Sequence, residues 1–154
     1  MSKEKAYAYL EKKGLTEHFI ETEESTATVT MAATVLGVTE GEIAKSLTFR
    51  NGEKEPILIV MAGDKRVDNK KFKETFHTKA KMLSPEEVAE EIGHEVGGVT
   101  PFGVNDGVKI YLDESLKAYD VVYPACGSAY AVSKFSVDEL IDAVEGEGFV
   151  DVSK

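Results

Sequence analysis

Apolar and polar positions along this chain repeat with two different periods. Between Ile43 and Arg50 the period is two: Ile43, Lys45, Leu47 and Phe49 share one face, and Ala44, Ser46, Thr48 and Arg50 share the other. That pattern predicts a strand with a lysine on its apolar face. Asn51-Gly52 follows as a hairpin turn signal, and Pro56 to Met61 is apolar on both faces, which predicts an interior partner strand. Helical periods predict a first helix over Lys3–Lys13, with Ser2 as cap and Gly14 as stop, and a second over Thr26–Leu36 closed by Gly37. A third helix is expected over Asn69–Phe76. Ser84-Pro85-Glu86-Glu87 and Ser136-Val137-Asp138-Glu139 are capping boxes that open helices running to about Gly93 and Val144. Further strands are expected at Phe19-Ile20, Met82-Leu83, Val108–Leu112, Asp120–Tyr123 and Tyr130–Val132, with Pro124–Ala129 as a small-residue turn between the last two. Interleaved strands and helices with one hairpin predict an α+β fold, a mixed curved β-sheet flanked by helices.

The 154 residues, 42% of them hydrophobic, suffice for one domain over 1–154. Cys126 is the only cysteine, so no intrachain disulfide can form, and a reducing, cytoplasmic setting is expected. No apolar run approaches the ~18 residues that span a bilayer, so no membrane role is expected. The net charge of −10 argues against indiscriminate binding to nucleic acid, and no DNA partner is expected. Charge is unevenly placed, however. Residues 65–81 hold Lys65, Arg66, Lys70, Lys71, Lys73, Lys79 and Lys81 against Asp68 and Glu74, a local excess of +5. Such a segment is either a solvated helix face or a grip for a few phosphates.

Several residues could carry chemistry. An ammonium is rarely buried without a partner, so Lys45 either borders a cavity where it meets an anion or snorkels to water. The loop from Gly93 to Gly103 contains four glycines and Pro101; its Gly97-Gly98 turn could expose N–H groups as an anion nest, or be simply a turn. It lacks the spacing of a nucleotide-binding loop, and no cofactor is expected. Cys126 could be a nucleophile but has no thiol-enzyme motif around it, which favours a small buried thiol. His18, His77 and His94 are far apart in sequence, so a zinc site is not expected. His94 could help as an acid or base, but beside Gly93 it reads rather as a helix cap or surface residue, and Asp113 as the start of a turn.

Three features in order, the Ile43-Ala44-Lys45-Ser46 strand, the Gly97-Gly98-Val99-Thr100-Pro101-Phe102-Gly103 loop and the Gly127-Ser128 turn after Val121-Val122-Tyr123, resemble the YbaK-like aminoacyl-tRNA deacylases, free-standing relatives of the editing domain of bacterial prolyl-tRNA synthetases. The likeness runs from about Phe19 to Leu140 and takes in Ala62–Asp68. It implies hydrolysis of the ester that joins a mischarged amino acid to the 3′ end of a tRNA, with Cys- or Ala-tRNA of the proline type as substrate. By resemblance, Lys45 and Gly98 are catalytic, and Ser46, Gly97, Val99, Thr100, Pro101, Gly127 and Ser128 bind substrate. Some alanine-specific relatives carry a histidine near the third motif, where this chain has Gly127-Ser128. Lys65, Arg66, Lys70, Lys71 and Lys73 are expected along the tRNA acceptor end, and prolyl-tRNA synthetase is a candidate partner. The rival readings are a non-catalytic RNA-binding or synthetase-associated module and a thiol enzyme using Cys126.

Overall fold

The computed structural model describes residues 2–52 and 55–154. Its centre is a mixed sheet in the order β1-β6-β5-β2-β3-β4-β8, with β7 paired to β5. The strands are β1 (Phe19–Glu21), β2 (Ile43–Arg50), β3 (Pro56–Ala62), β4 (Lys109–Asp113), β5 (Val121–Ser128), β6 (Ala131–Ser133), β7 (Phe135–Ser136) and β8 (Phe149–Val150). The helices are α1 (Ser2–Lys12), α2 (Val29–Leu36), α3 (Asn69–Phe76), α4 (Pro85–Glu87), which continues as a π-helical turn over Val88–Ile92, and α5 (Val137–Ala143). The expected α+β architecture, a mixed sheet flanked by helices, is what the chain forms.

β3 is the interior strand its two apolar faces predict. Leu58 and Val60 enter a core with α1, the π turn and α5, while Ile57, Ile59 and Met61 enter a second core under α3 with Phe49 and Phe72. The β2–β3 pairing runs from Ala44↔Ala62 to Arg50↔Pro56, so the hairpin loop is 51–55, longer than a two-residue turn. Gly52 takes the left-handed conformation that the sequence signal requires, and the tip at 53–54 lies outside the described residues.

Four local expectations are corrected. α2 starts at Val29, because Thr28 caps it through Met31 N–H while Thr26 N–H and Oγ1 both donate to Ala129 O. Met82-Leu83 forms only an isolated bridge to Phe49, with Leu83 N–H donating to Thr48 O. Pro124–Ser128 is not a turn but the second half of β5, which bulges between Ala125 and Ser128 against β6; the turn is at Ala129-Tyr130. Ser2 belongs to α1, and its hydroxyl serves His94 rather than acting as a cap. β7, β8 and a 3-10 helix over Glu114–Ala118 were not anticipated. Among the described residues no helix is long and apolar enough to cross a membrane.

Candidate functional site

β2 has two neighbours on its outer edge, and neither covers its middle. β5 pairs with it in parallel only at Ile43↔Tyr123 and Ala44↔Pro124. Segment 81–83 takes over at Thr48 and Arg50, whose C=O and N–H bond to Leu83 and Lys81. Between those contacts the edge of β2 around Ser46 has no strand beside it among the described residues. A cavity of ≈ 300 Å³ fills the gap, at the small end of the range for ligand clefts.

Its walls come from separate parts of the chain. Val29 and Ala32 of α2 stand on one side, Leu83 and Val88 on another, and Val99, Ala125 and Val132 close the base. Arg50 forks onto Glu87 and Glu91 at 2.5–2.6 Å, which ties the helix bearing Val88 to the end of β2. Met82 and Val96, 59% and 64% exposed, give the mouth an apolar rim.

Ser46 is the anomaly in this wall. Its Oγ is buried against the cavity without a hydrogen-bond partner among the described residues. A buried hydroxyl left unpaired costs about 1–3 kcal/mol, so this one is available to whatever fills the cavity, solvent or ligand. Gly97 also lines the cavity; its N–H has no acceptor among the described residues, and its φ of 94° is one that a side chain rarely tolerates.

Lys45 borders the same cavity. It shares its face of β2 with Leu47 and Phe49, as the sequence predicts, but its ammonium leaves that face and donates to Gly63 O at 3.3 Å and to Lys65 O in the turn after β3. A lysine has three N–H donors, so one remains for a ligand. Burial pushes its pKa down, and the Asp64 and Glu40 carboxylates oppose that fall.

The other expected site residues divide. Gly98, Gly127 and Ser128 form backing behind the cavity: Gly127 N–H donates to Gly98 O at 2.8 Å, and a Cβ on Gly98 would stand 2.2 Å from Ser128 N. Gly98 N–H is already given to Glu95 O at 3.0 Å, so in this structure the expected nest offers the Gly97 donor and not the Gly98 one. Thr100 and Pro101 are buried away from the cavity, with Thr100 Oγ1 accepting from Phe102 N–H. Lys65 and Arg66 are exposed in the turn that receives Lys45; Lys70 and Lys73 are exposed on α3; Lys71 pairs with Asp151 and donates to Ser153 O.

Two residues weighed as chemical candidates are structural. Cys126 is fully buried, and burial pushes its thiol up to about 12, which removes the thiolate that nucleophilic chemistry requires. His94 is also buried, contrary to its reading as a cap or surface residue. Its Nε2 donates to Phe102 O and its Nδ1 accepts from Ser2 Oγ, both at 2.7 Å. Asp113 caps the following 3-10 helix through Ser115 N–H, as its turn reading anticipates, and also accepts from Val152 N–H. The contributions of Thr26–Val29, Met82, Leu83, Pro85, Val88 and Tyr123 to the cavity were missed; the Thr-rich stretch before α2 was the available signal.

The model of one protein family, described as an aminoacyl-tRNA editing domain, matches residues 23–143. An uncharacterized Bacillus subtilis protein, YwhH, is 48% identical over 134 residues, covering 87% of this chain and 85% of its own. A proline–tRNA ligase of Kosmotoga olearia is 35% identical over 133 residues, which are 78% of this chain but only 22% of the ligase. Among solved structures, a candidate trans-editing enzyme for prolyl-tRNA synthetase superposes with a TM-score of 0.88 at 32% identity, over 99% of this chain and 97% of that one.

Proposed function

The chain belongs to the aminoacyl-tRNA editing domain family, and from that premise we propose that it is a cytoplasmic, single-domain deacylase acting in trans. Its reaction is hydrolysis of the ester between a mischarged amino acid and the 3′ end of a tRNA, with Cys- or Ala-tRNA(Pro) as substrate. The observation that carries this reading is the unpaired Ser46 hydroxyl in a small apolar-walled cavity whose edge holds Lys45. A synthetase gains only about 1–3 kcal/mol against a ligand that differs by a methylene, which is why a second sieve is needed. On this reading the cavity accepts a small aminoacyl group, the apolar rim meets the arriving 3′ end, and Lys65 and Arg66, both exposed, are the cations assigned to the acceptor-stem backbone.

In the reaction, the oxygen of water or of a substrate hydroxyl bonds to the ester carbon, and the carbonyl electron pair moves onto its oxygen. The remaining Lys45 N–H and the Gly97 N–H stabilise that oxyanion. Collapse breaks the bond to the ribose oxygen, which leaves with the proton given up by the attacking group. When the attacker is a substrate hydroxyl, a water then releases the amino acid in the same way. Lys45 forms no covalent bond in either route.

The test is deacylation of Cys-, Ala-, Ser- and Pro-tRNA by the wild type and by Lys45→Ala. Hydrolysis of one mischarged species, reduced at least ~10²-fold by the substitution, is expected. A folded protein that binds tRNA and hydrolyses none of the four would be a recognition module instead.

A further inference from the structure

The ammonium of Lys45 is gripped by a junction of three chain segments. Gly63 O and Lys65 O, its two acceptors, flank Asp64 in a turn closed by Lys65 N–H to Ala62 O at 3.0 Å. The segment after β4 holds that turn at two points: Ala62 N–H donates to Ser115 Oγ at 3.1 Å, and Tyr119 Oη donates to Asp64 Oδ2 at 2.9 Å. The stretch before β2 packs beneath both. A Cβ on Gly41 would lie 1.8 Å from Tyr119 Oη, and one on Gly63 would lie 2.1 Å from Glu40 O. Neither glycine has a positive φ, so each is required here for closeness rather than for conformation.

We propose that Tyr119 and Asp64 are a positioning pair for Lys45, holding its ammonium at the cavity edge; the consequence for rate rests on the deacylase reading above. Asp64 and Glu40 are the carboxylates that act on the half-buried ammonium, Glu40 being held by Thr30 Oγ1 at 3.1 Å. Glu42 acts on Tyr119 from the same stretch as Glu40, and the side chains of Lys65 and Arg66 share the turn with Asp64. Of these groups, only Asp64 is tied to Tyr119 by a hydrogen bond.

The experiment is an NMR titration of the Lys45 side chain in protein labelled at lysine Cε, in the wild type, Asp64→Asn, Asp64→Glu and Tyr119→Phe. Tyr119→Phe keeps the ring over Gly41 and removes only the hydroxyl. Loss of a nearby carboxylate disfavours the charged form of a lysine, so in Asp64→Asn the ammonium titrates at lower pH than in the wild type. Tyr119→Phe shifts it the same way by less, and Asp64→Glu restores it. Deacylation that needs charged Lys45 is lost as pH rises through this pKa, so its alkaline limb moves down by the same interval, in kcat more than in KM. An Asp64→Asn titration curve that overlays the wild type overturns the pair, whatever the activity. A shifted curve in a protein without deacylase activity leaves the pair standing and removes the reading it serves.

Discussion

At the scale of single residues, Ser46 is what sets this cavity apart from an ordinary packed wall. A wall position would hold an apolar side chain or a paired hydroxyl; this one carries a buried Oγ without a partner among the described residues. Removing both the hydroxyl and its desolvation cost is nearly neutral or favourable for folding, because no other group is left unpaired. Ser46→Ala is therefore expected to raise stability by up to about 1 kcal/mol, read as a higher urea midpoint at unchanged slope, while deacylation falls. A variant that is less stable would mean that the hydroxyl has a partner in the folded protein. Cys126 is the contrasting case: equally small and equally close to the site motifs, it is sealed and held as a neutral thiol.

At the scale of elements, the loop that closes the site is anchored from beneath by His94. With the imidazole neutral, Glu95 N–H donates to Ser2 Oγ, Ser2 Oγ–H to His94 Nδ1, and His94 Nε2–H to Phe102 O, a chain that joins α1 to the loop, and burial disfavours the protonated ring. Burial lowers the folded-state pKa of His94 to about 4, below the ordinary value of 6.5. Between those values the unfolded chain binds a proton that the folded chain refuses, so stability falls as pH drops through this window and levels below it. The expected loss is about 3 kcal/mol in full and about 2 kcal/mol by pH 5, before most carboxylates titrate. Urea unfolding at pH 7, 6 and 5 checks this, and His94→Gln, less stable at pH 7, should flatten the trend; an equally steep trend would assign it to other groups. The sequence could not disclose this anchor, because Gly93 beside His94 is a local cap signal and the burial is tertiary. Elements with strong local signals were legible: α3 has its expected bounds, both capping boxes form, and β3 is interior on both faces. The second half of β5 was not, because Pro124, Gly127 and their small neighbours read as a turn, while the strand is held by a bulged pairing with β6. The cavity was illegible for a related reason: it lies where β5 has left β2 and segment 81–83 has not yet joined, a gap set by two long-range registers. Lys45 was legible because one lysine on an apolar face breaks a period of two.

At the scale of the whole molecule, a body of strong negative charge carries one basic run that begins beside the cavity. Lys65 and Arg66 stand in the turn that receives Lys45, and α3 then carries Lys70 and Lys73, exposed, onto the other face of the sheet. On the proposed function, an RNA whose 3′ end enters the cavity would meet the turn first and the helix afterwards, and the acidic remainder would repel other orientations. A cation bound to a phosphate releases a counterion, so neutralising one such side chain flattens the dependence of log K on log salt by about 1. Lys65→Gln with Arg66→Gln is expected to weaken tRNA binding and reduce the slope by about 2. Adding Lys70→Gln and Lys73→Gln should reduce it further. Lys71→Gln supplies the comparison: that ammonium is engaged with Asp151 and Ser153 O, so its removal should change the slope less than Lys65→Gln does. Fluorescence anisotropy of labelled tRNA over a salt series measures all of these. Slopes indistinguishable from wild type in the quadruple variant would place the acceptor stem on a different face, and the basic run would then be only the solvated side of α3.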